Sequence, residues 1–219
     1  YIEEMKFDRP YMVTEWGAIG HWEVPKTSWG APIEQTSSAK AANYLKSYRT
    51  AIASDPLHVL GSYVFLWGQK QERTPTWYGM LLEDGSRTEA IDVMQFVWTG
   101  AWPENRSPAI ESFLLDSSNA HQNVTLHAGE VVTAEVKATD PDGDELRYSW
   151  QVMAESEAKE SGGDREKVPE QIPGLVEATG AGQARVKAPA KPGAYRLFLY
   201  VHDGNGQAGH ANIPFLVKQ

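Results

Sequence analysis

The first hundred residues alternate between the pattern of buried strands and the pattern of helices. An apolar run at residues 10–14 ends at Glu15, and a longer run occupies residues 59–67. Apolar side chains recur at helical spacing in residues 36–53 and again in residues 89–98. Continuous apolar runs are typical of parallel sheets, which are covered on both faces. The order strand, helix, strand, helix therefore predicts an α/β fold, with two βα units that form part of a (β/α)8 barrel.

The pattern changes beyond Pro108. Short runs of alternating apolar and polar residues follow, separated by turn sequences such as PDG, KPG and DGNG. Several short strands in about 110 residues predict an immunoglobulin-like β-sandwich. We therefore expect residues 1–102 to be the C-terminal portion of a barrel domain, residues 103–108 to be a linker and residues 109–219 to be the sandwich.

Composition excludes several classes of function. The net charge of −9 argues against a nucleic-acid partner, because phosphate binding needs clustered Lys and Arg. No run of 18 apolar residues exists, so we expect no membrane span. The sequence has no Cys, which excludes disulfides and thiolate chemistry. An acidic chain of this kind suits a neutral substrate.

Glu15 is the first candidate for a catalytic residue. It ends a buried strand and is followed by Trp16 and Gly17. In a (β/α)8 barrel the C-terminal ends of the strands face the active site. A carboxylate at that position can attack an anomeric carbon, and an adjacent indole can provide an apolar platform for a sugar. The alternative is a strand-end Glu in a structural salt bridge.

The segment RPYMVTEWG at residues 9–17 resembles the seventh-strand motif of glycoside hydrolase family 2 and its relatives. The resemblance covers roughly the first hundred residues. It implies that Glu15 is the nucleophile. Residues 59–67 resemble the family's eighth strand, where an aromatic side chain floors the subsite of the sugar to be cleaved, and Trp67 matches it. The resemblance further implies a secreted, periplasmic or cell-surface enzyme.

Loops after these two strands supply the candidate substrate-binding residues, because such loops line the cleft of a barrel. They combine indoles for stacking with polar groups that bind hydroxyls. The predicted substrate-binding residues are Trp16, His21, Trp22, Trp67, Gln69, Lys70, Glu72 and Trp77. For most of the polar residues an ordinary loop is the competing interpretation, and for His21 it is a buried structural histidine.

A retaining mechanism needs a second carboxylate. The resemblance implies that the acid/base Glu ends the fourth strand, upstream of Tyr1. The chain opens with YIEEMK, which is typical of the end of a helix, so we expect an upstream portion of the same protein as a partner. The carboxylates of Glu23, Glu34 and Glu72 are expected to be structural or to contact substrate.

Four Asp residues of the second part suggest a metal site. The sequence TDPDGDELRYSW at residues 139–150 resembles the Asp-rich turn of polycystic-kidney-disease-type and cadherin-like repeats. Calcium prefers several hard oxygen ligands, and Asp140, Asp142, Asp144 and Asp203 could provide them. Asp and Gly also cap turns without any metal. We expect no cofactor, with calcium as the alternative.

Together these observations predict a retaining glycoside hydrolase that acts on β-linked poly- or oligosaccharides through a glycosyl-enzyme intermediate on Glu15. A transglycosylase would use the same intermediate with a sugar acceptor in place of water. A non-catalytic carbohydrate-binding or structural protein is the alternative from another class.

Overall fold

The computed structural model describes residues 8–158 and 166–219. The helix end predicted at residues 1–6 lies outside the described residues. The first part of the chain contains two strands and two helices in the predicted order. They are β1 (Tyr11–Gly17), α1 (Ser37–Ser47), which continues into a π-helical turn (Tyr48–Ile52), β2 (Val59–Phe65) and α2 (Glu89–Thr99).

Local chemistry sets the ends of both helices. The side chain of Thr36 accepts a hydrogen bond from the backbone N–H of Ala39, which caps the N-terminus of α1. Helix α2 ends at Gly100, whose φ of 78° lies in the left-handed region that favours glycine. Acidic Glu89 and Asp92 occupy the first turn of α2.

Strands β1 and β2 pair in parallel, with Gly17 opposite Phe65. The two helices contact each other beside this pair, and a small apolar core joins helices and strands. Its buried members are Ala41, Tyr44, Val64, Met80, Ala90, Val93 and Met94. This sheet has two strands within the described residues.

The second part forms two four-stranded sheets. Its strands are β3 (Ala109–Leu115), β4 (Thr125–His127), β5 (Val131–Thr139), β6 (Arg147–Ala154), β7 (Val176–Gly180), β8 (Gln183–Lys187), β9 (Gly193–His202) and β10 (Ala208–Lys218). A 3-10 turn (Ala120–Gln122) precedes β4. One sheet has the order β4-β10-β9-β6, and the other has the order β3-β5-β8-β7. Side chains from both sheets, among them Phe113, Leu197 and Phe215, share one apolar core.

Strand β9 is covered on both faces. Leu197, Leu199 and Val201 alternate into the sandwich core. Arg196 and Phe198 point to the opposite face, yet they are only 1% and 3% exposed. The first part of the chain covers that face, as the hydrogen bond from Arg196 Nη2 to the carbonyl of Pro32 shows. The molecule therefore has three layers, with the sheet of β9 and β10 in the middle.

A buried polar network fastens the first part to this middle sheet. The carboxylate of Glu34 accepts hydrogen bonds from Lys40 Nζ at 2.5 Å, Thr74 Oγ1 at 2.6 Å and Asn212 Nδ2 at 2.6 Å. Burial alone would raise the pKa of Glu34, but Lys40, His210 and the hydrogen bonds outweigh burial and lower the pKa to about 2. The buried carboxylate is therefore ionised and fully paired.

The fold class expected from the sequence is wrong. The described residues form a mostly β structure with two short helices, rather than barrel units followed by a separate sandwich. The physical reason is that a continuous apolar run predicts a strand buried on both faces, but it does not indicate which elements cover those faces. Here a two-stranded parallel sheet and its helices form a layer beside a mixed sandwich sheet, in which only β4 runs parallel to its neighbour.

Candidate active site

A cleft of about 600 Å³ opens where β1 and β2 end. Parallel pairing brings the two carboxyl ends to the same edge of the sheet, so the segments that follow them meet there. One wall comes from residues 15–23 and the other from residues 65–78. The polar and aromatic residues of its lining are Glu15, Trp16, Trp22, Glu23, Phe65, Lys70, Glu72 and Tyr78.

The close approach of the two strands explains the glycine of the Glu-Trp-Gly motif. A Cβ atom on Gly17 would lie 2.1 Å from the carbonyl oxygen of Phe65, and such a contact is sterically impossible without a backbone shift. That carbonyl also accepts a hydrogen bond from Tyr44 Oη at 3.0 Å. Gly17 thus fixes the strand ends, and Glu15 is held as an exposed carboxylate two residues before it.

Trp16 points away from Glu15, because successive side chains of a strand face opposite sides of the sheet. Its ring packs against Tyr44 and Tyr48, with centroid distances of 5.7 and 6.0 Å. The indole therefore packs against α1 and the turn after it. Trp16 supports the strand that carries Glu15 instead of providing an open sugar platform.

Tyr78, Glu72 and Lys70 form a polar wall of the cleft, and the buried His21 lies behind them. His21 Nδ1 lies 3.0 Å from Tyr78 Oη and 3.8 Å from Glu72 Oε1. Lys70 Nζ donates to Glu72 Oε2 at 2.5 Å. Burial, reinforced by Arg73, lowers the pKa of His21, and burial raises the pKa of Tyr78 to about 12. At neutral pH Tyr78 is thus a protonated phenol, and His21 behind it is a neutral imidazole.

Trp22 is the accessible indole of the cleft. It is 60% exposed and contacts His21 edge to face, with ring centroids 4.9 Å apart. A Cβ atom on Gly20 would lie 2.6 Å from the Trp22 ring, so glycine lets the indole fold over this turn. Glu23 accepts a hydrogen bond from the backbone N–H of Gly20 at 2.9 Å and holds the turn. Trp22 therefore presents an apolar face at the rim.

Besides the buried His21, three predicted substrate-binding residues do not line the cleft. Trp77 is 1% exposed, and its Nε1 donates to the carbonyl of Ile19. The side chain of Gln69 donates to the carbonyl of Pro75 and so stabilises its own loop. Trp67 is half exposed but does not line the cleft; it stacks on Trp98 of α2 with ring centroids 5.9 Å apart.

The sequence missed Tyr78 as a site residue. Its hydroxyl contacts both the backbone N–H and the ring of His21, and its side chain lines the cleft. One sequence feature could have indicated it: Tyr78 is a second aromatic residue, next to Trp77, in a loop that was expected to face the site. Alternation in an extended loop places one of two neighbours inside and the other toward the cleft.

Three of the four predicted calcium ligands converge. Carboxylate oxygens of Asp140, Asp144 and Asp203 lie within 4.8 Å of one another. Asp142 instead accepts a hydrogen bond from the backbone N–H of Arg106. Asp140 and Asp203 also cap their own turns, since each accepts hydrogen bonds from two backbone N–H groups. The three oxygens could hold a hard cation, and the capping bonds already give two of these carboxylates a structural role.

Comparisons with known proteins give little further information. No family model matches the chain, and no curated protein matches it. A nucleoside hydrolase-related hypothetical protein from Saccharophagus degradans, associated with carbohydrate metabolism, is 18% identical with a TM-score of 0.36. The alignment covers 64% of this chain and 34% of that protein, so the chain spans about a third of its length.

PcoC, a methionine-rich copper resistance protein from Escherichia coli, aligns with 14% identity and a TM-score of 0.31. The match covers 51% of this chain and 99% of PcoC. TM-scores this low establish neither a shared fold nor a shared activity. Separately, the described part of the chain contains no helix that is long and apolar enough to cross a membrane.

Proposed function

We propose that the Glu15 cleft belongs to a retaining glycoside hydrolase that cleaves β-linked poly- or oligosaccharides. The observation that carries this proposal is the convergence of an exposed carboxylate, an exposed indole and a polar wall on one cleft of about 600 Å³. Cavities of this size accommodate small organic ligands. Indole faces stack on the C–H faces of sugars, while carboxylates and ammonium groups bind their hydroxyls.

Glu15 is the nucleophile in this proposal. One of its carboxylate oxygens attacks the anomeric carbon, the glycosidic C–O bond breaks, and the leaving oxygen takes a proton from an acid carboxyl group. Water then attacks the glycosyl ester, gives up a proton to the same carboxylate and releases the free sugar. The exposed position of Glu15 at a strand end, next to the close β1–β2 contact, suits a nucleophile that must reach substrate.

The polar wall and Trp22 position the sugar. Lys70 and Glu72 pair with each other in the lining of the cleft. Because their ammonium and carboxylate groups can donate to and accept from hydroxyls, we assign both to contacts with the substrate hydroxyls. On the other side of Glu72, the His21 ring lies 3.8 Å away and bonds Tyr78 Oη. The acid/base carboxylate of this proposal would face Glu15 across the cleft. A secreted, periplasmic or cell-surface location goes with a polymeric substrate.

The test is Glu15→Gln in the full-length protein, assayed on p-nitrophenyl β-glycosides of glucose, galactose, mannose and xylose. Loss of the nucleophile should lower kcat by roughly a thousandfold or more. The melting temperature should change little, because an exposed amide keeps the shape of the strand end. Glu23→Gln, in a carboxylate of the same cleft that binds the Gly20 N–H, is the matched control and should retain most activity.

Trapping the intermediate identifies the attacking group. A 2-deoxy-2-fluoro glycosyl fluoride of the preferred sugar should add one glycosyl mass to the native protein, at Glu15 by peptide mapping, and none to the Glu15→Gln variant. A label on another carboxylate would remove Glu15 from the mechanism. Products extended by an added acceptor sugar would instead identify a transglycosylase. Binding without any turnover would identify a carbohydrate-binding protein.

A further inference from the structure

A second cleft, of about 460 Å³, lies on the other side of the loop that carries Glu72. One wall is the outer face of β6 and β9, and the opposite wall is formed by residues 75–84 of the first part. Residues 65–78 line the Glu15 cleft, so the connection between β2 and α2 forms a wall of both clefts. The second cleft exists only because the two parts of the chain are packed together.

Strand β6 and the segment that pairs with its end contribute polar side chains to this cleft. Ser149 and Gln151 lie two residues apart on β6, on the face opposite the core-packed Trp150 and Val152. Gln171 lies opposite Met153 in an isolated bridge. Within the described residues, the side chains of Ser149, Gln151 and Gln171 make no hydrogen bond. Amides and hydroxyls both donate and accept, which is the pattern that sugar hydroxyls require.

The charges of the cleft select against anions. Glu83 and Asp84 line it, and Asp84 Oδ2 lies 3.1 Å from Nε2 of His202, the one basic residue among the lining residues that the structure describes. Burial opposes the ionisation of Asp84, but hydrogen bonds from Ser86 and the neighbouring His202 keep its pKa below the ordinary value. A phosphate or carboxylate ligand would therefore meet two carboxylates and a single paired imidazole.

The remaining lining is mostly apolar, apart from the hydroxyl groups of Thr76 and Tyr200. Pro75, Leu82, Met153, Val168 and Pro169 surround the unpaired amides. Apolar surface beside unpaired donors and acceptors matches a ligand that has C–H faces and hydroxyl edges. We propose that this second cleft binds a neutral oligosaccharide, independently of catalysis at Glu15. The ligand would contact the same loop that supplies Glu72 and Tyr78 to the first cleft.

The experiment measures binding to full-length protein that carries Glu15→Gln, so that turnover plays no part. Cellohexaose, mannohexaose, xylohexaose and laminarihexaose are titrated by isothermal calorimetry. Adding Ser149→Ala and Gln151→Ala should weaken the tightest of these ligands by about tenfold, since two hydrogen bonds are lost. Ser112→Ala with Gln183→Ala, exposed positions of the same residue types on the other sandwich sheet, should leave the affinity unchanged.

A Trp22→Ala variant reports on the Glu15 cleft. Under the proposal it leaves a component of binding that Ser149→Ala with Gln151→Ala removes. The proposal is overturned if none of the four hexasaccharides binds, or if only Trp22→Ala weakens binding. It is also overturned if glucosamine hexamer binds more tightly than all four and loses that affinity in Asp84→Asn, because the cleft would then recognise an amine. Failure of the proposed activity would appear in turnover assays and not in these titrations.

Discussion

The sandwich core and the contact between the two parts of the chain are built from opposite chemistries. Between the two sheets the buried side chains are aliphatic or aromatic, as at Leu197, Ile213 and Phe215. Between the middle sheet and the first part, the buried groups include Glu34 and Arg196, both with fully paired charges. Apolar contacts tolerate many arrangements, whereas a buried charge is stable only where its partners lie within hydrogen-bond distance. We infer that the apolar core stabilises the sandwich, whereas the polar contact sets the position of the first part on the middle sheet.

The largest test of this comparison separates the two parts. Residues 103–219 expressed alone should unfold cooperatively, because they contain both sheets and the shared apolar core. Residues 1–102 alone should aggregate or stay unfolded, since Glu34 would lose Asn212 as a partner and the small core is insufficient. Thermal unfolding followed by circular dichroism checks both fragments. A monomeric, cooperatively melting first fragment would show that its stability does not depend on the sandwich.

The next largest effect is expected from Lys40→Met. This change leaves the Glu34 carboxylate buried without its counter-charge, which typically costs about 3–5 kcal/mol. Lys137→Met is the matched control, because Lys137 is 79% exposed and lies 3.9 Å from Glu111. A surface pair of this kind contributes at most about 1 kcal/mol. Urea unfolding measures the free energy of unfolding of each variant. Equal losses would show that the buried pair contributes no more to stability than a surface pair.

A pH titration tests a second contact between the layers. Glu89 opens α2, and its carboxylate accepts hydrogen bonds from Ser38 and Ser37 of α1. Burial raises its pKa from 4.5 to about 7. The folded state therefore holds this proton more tightly, so the contribution of Glu89 to stability falls as pH rises from about 4.5 to about 7. The loss amounts to about 3 kcal/mol at 1.36 kcal/mol per pKa unit.

Glu89→Gln keeps the hydrogen bonds and removes the titration. The difference in unfolding free energy between variant and native protein should grow from near zero at pH 4.5 to about 3 kcal/mol in favour of the variant above pH 7. Taking the difference cancels other titrating groups such as His210, whose pKa burial lowers to about 3. A constant difference across this pH range would contradict the raised pKa of Glu89.

The smallest expected effect concerns calcium. Asp140 and Asp203 already cap their turns, so saturating Ca²⁺ should shift the melting temperature by no more than about 1 °C. Differential scanning calorimetry with and without Ca²⁺ measures this. A larger shift that disappears in Asp144→Asn would establish a real site at the three carboxylates.

The sequence predicts single elements better than their packing. Strands β1 and β2 and helices α1 and α2 form where apolar periodicity and capping residues predict them. The barrel prediction fails because periodicity carries no information on how many strands a sheet contains. Arg196 and Phe198 alternate with the core residues of β9, a pattern that indicates one buried face and one face open to solvent. The structure shows that both faces are buried. The predicted linker likewise contains Ser107, which is 1% exposed and donates its backbone N–H to Asp92.

In the candidate site, too, the sequence predicts single residues better than the packing of their side chains. Short motifs and their order in the chain locate Glu15, Trp22, Lys70 and Glu72, and these residues all line one cleft. Trp67 and Trp77 illustrate the limit, because two indoles in one loop have the same composition but different surroundings. Trp77 finds a hydrogen-bond acceptor inside the protein, at Ile19, whereas Trp67 stacks on a helix at the surface. Side-chain direction in an irregular loop depends on contacts that sequence spacing does not encode.

The double coverage of β9 has a consequence for hydrogen exchange. Its amides pair with β6 on one side and β10 on the other, and layers shield both faces. From Tyr195 to Leu199 no edge or solvated face remains through which local opening can admit water, so these amides should exchange only when the whole molecule unfolds. Strand β7, at the edge of the outer sheet, should exchange through local fraying. The slowest amides of β9 therefore report the global free energy of unfolding directly, without denaturant.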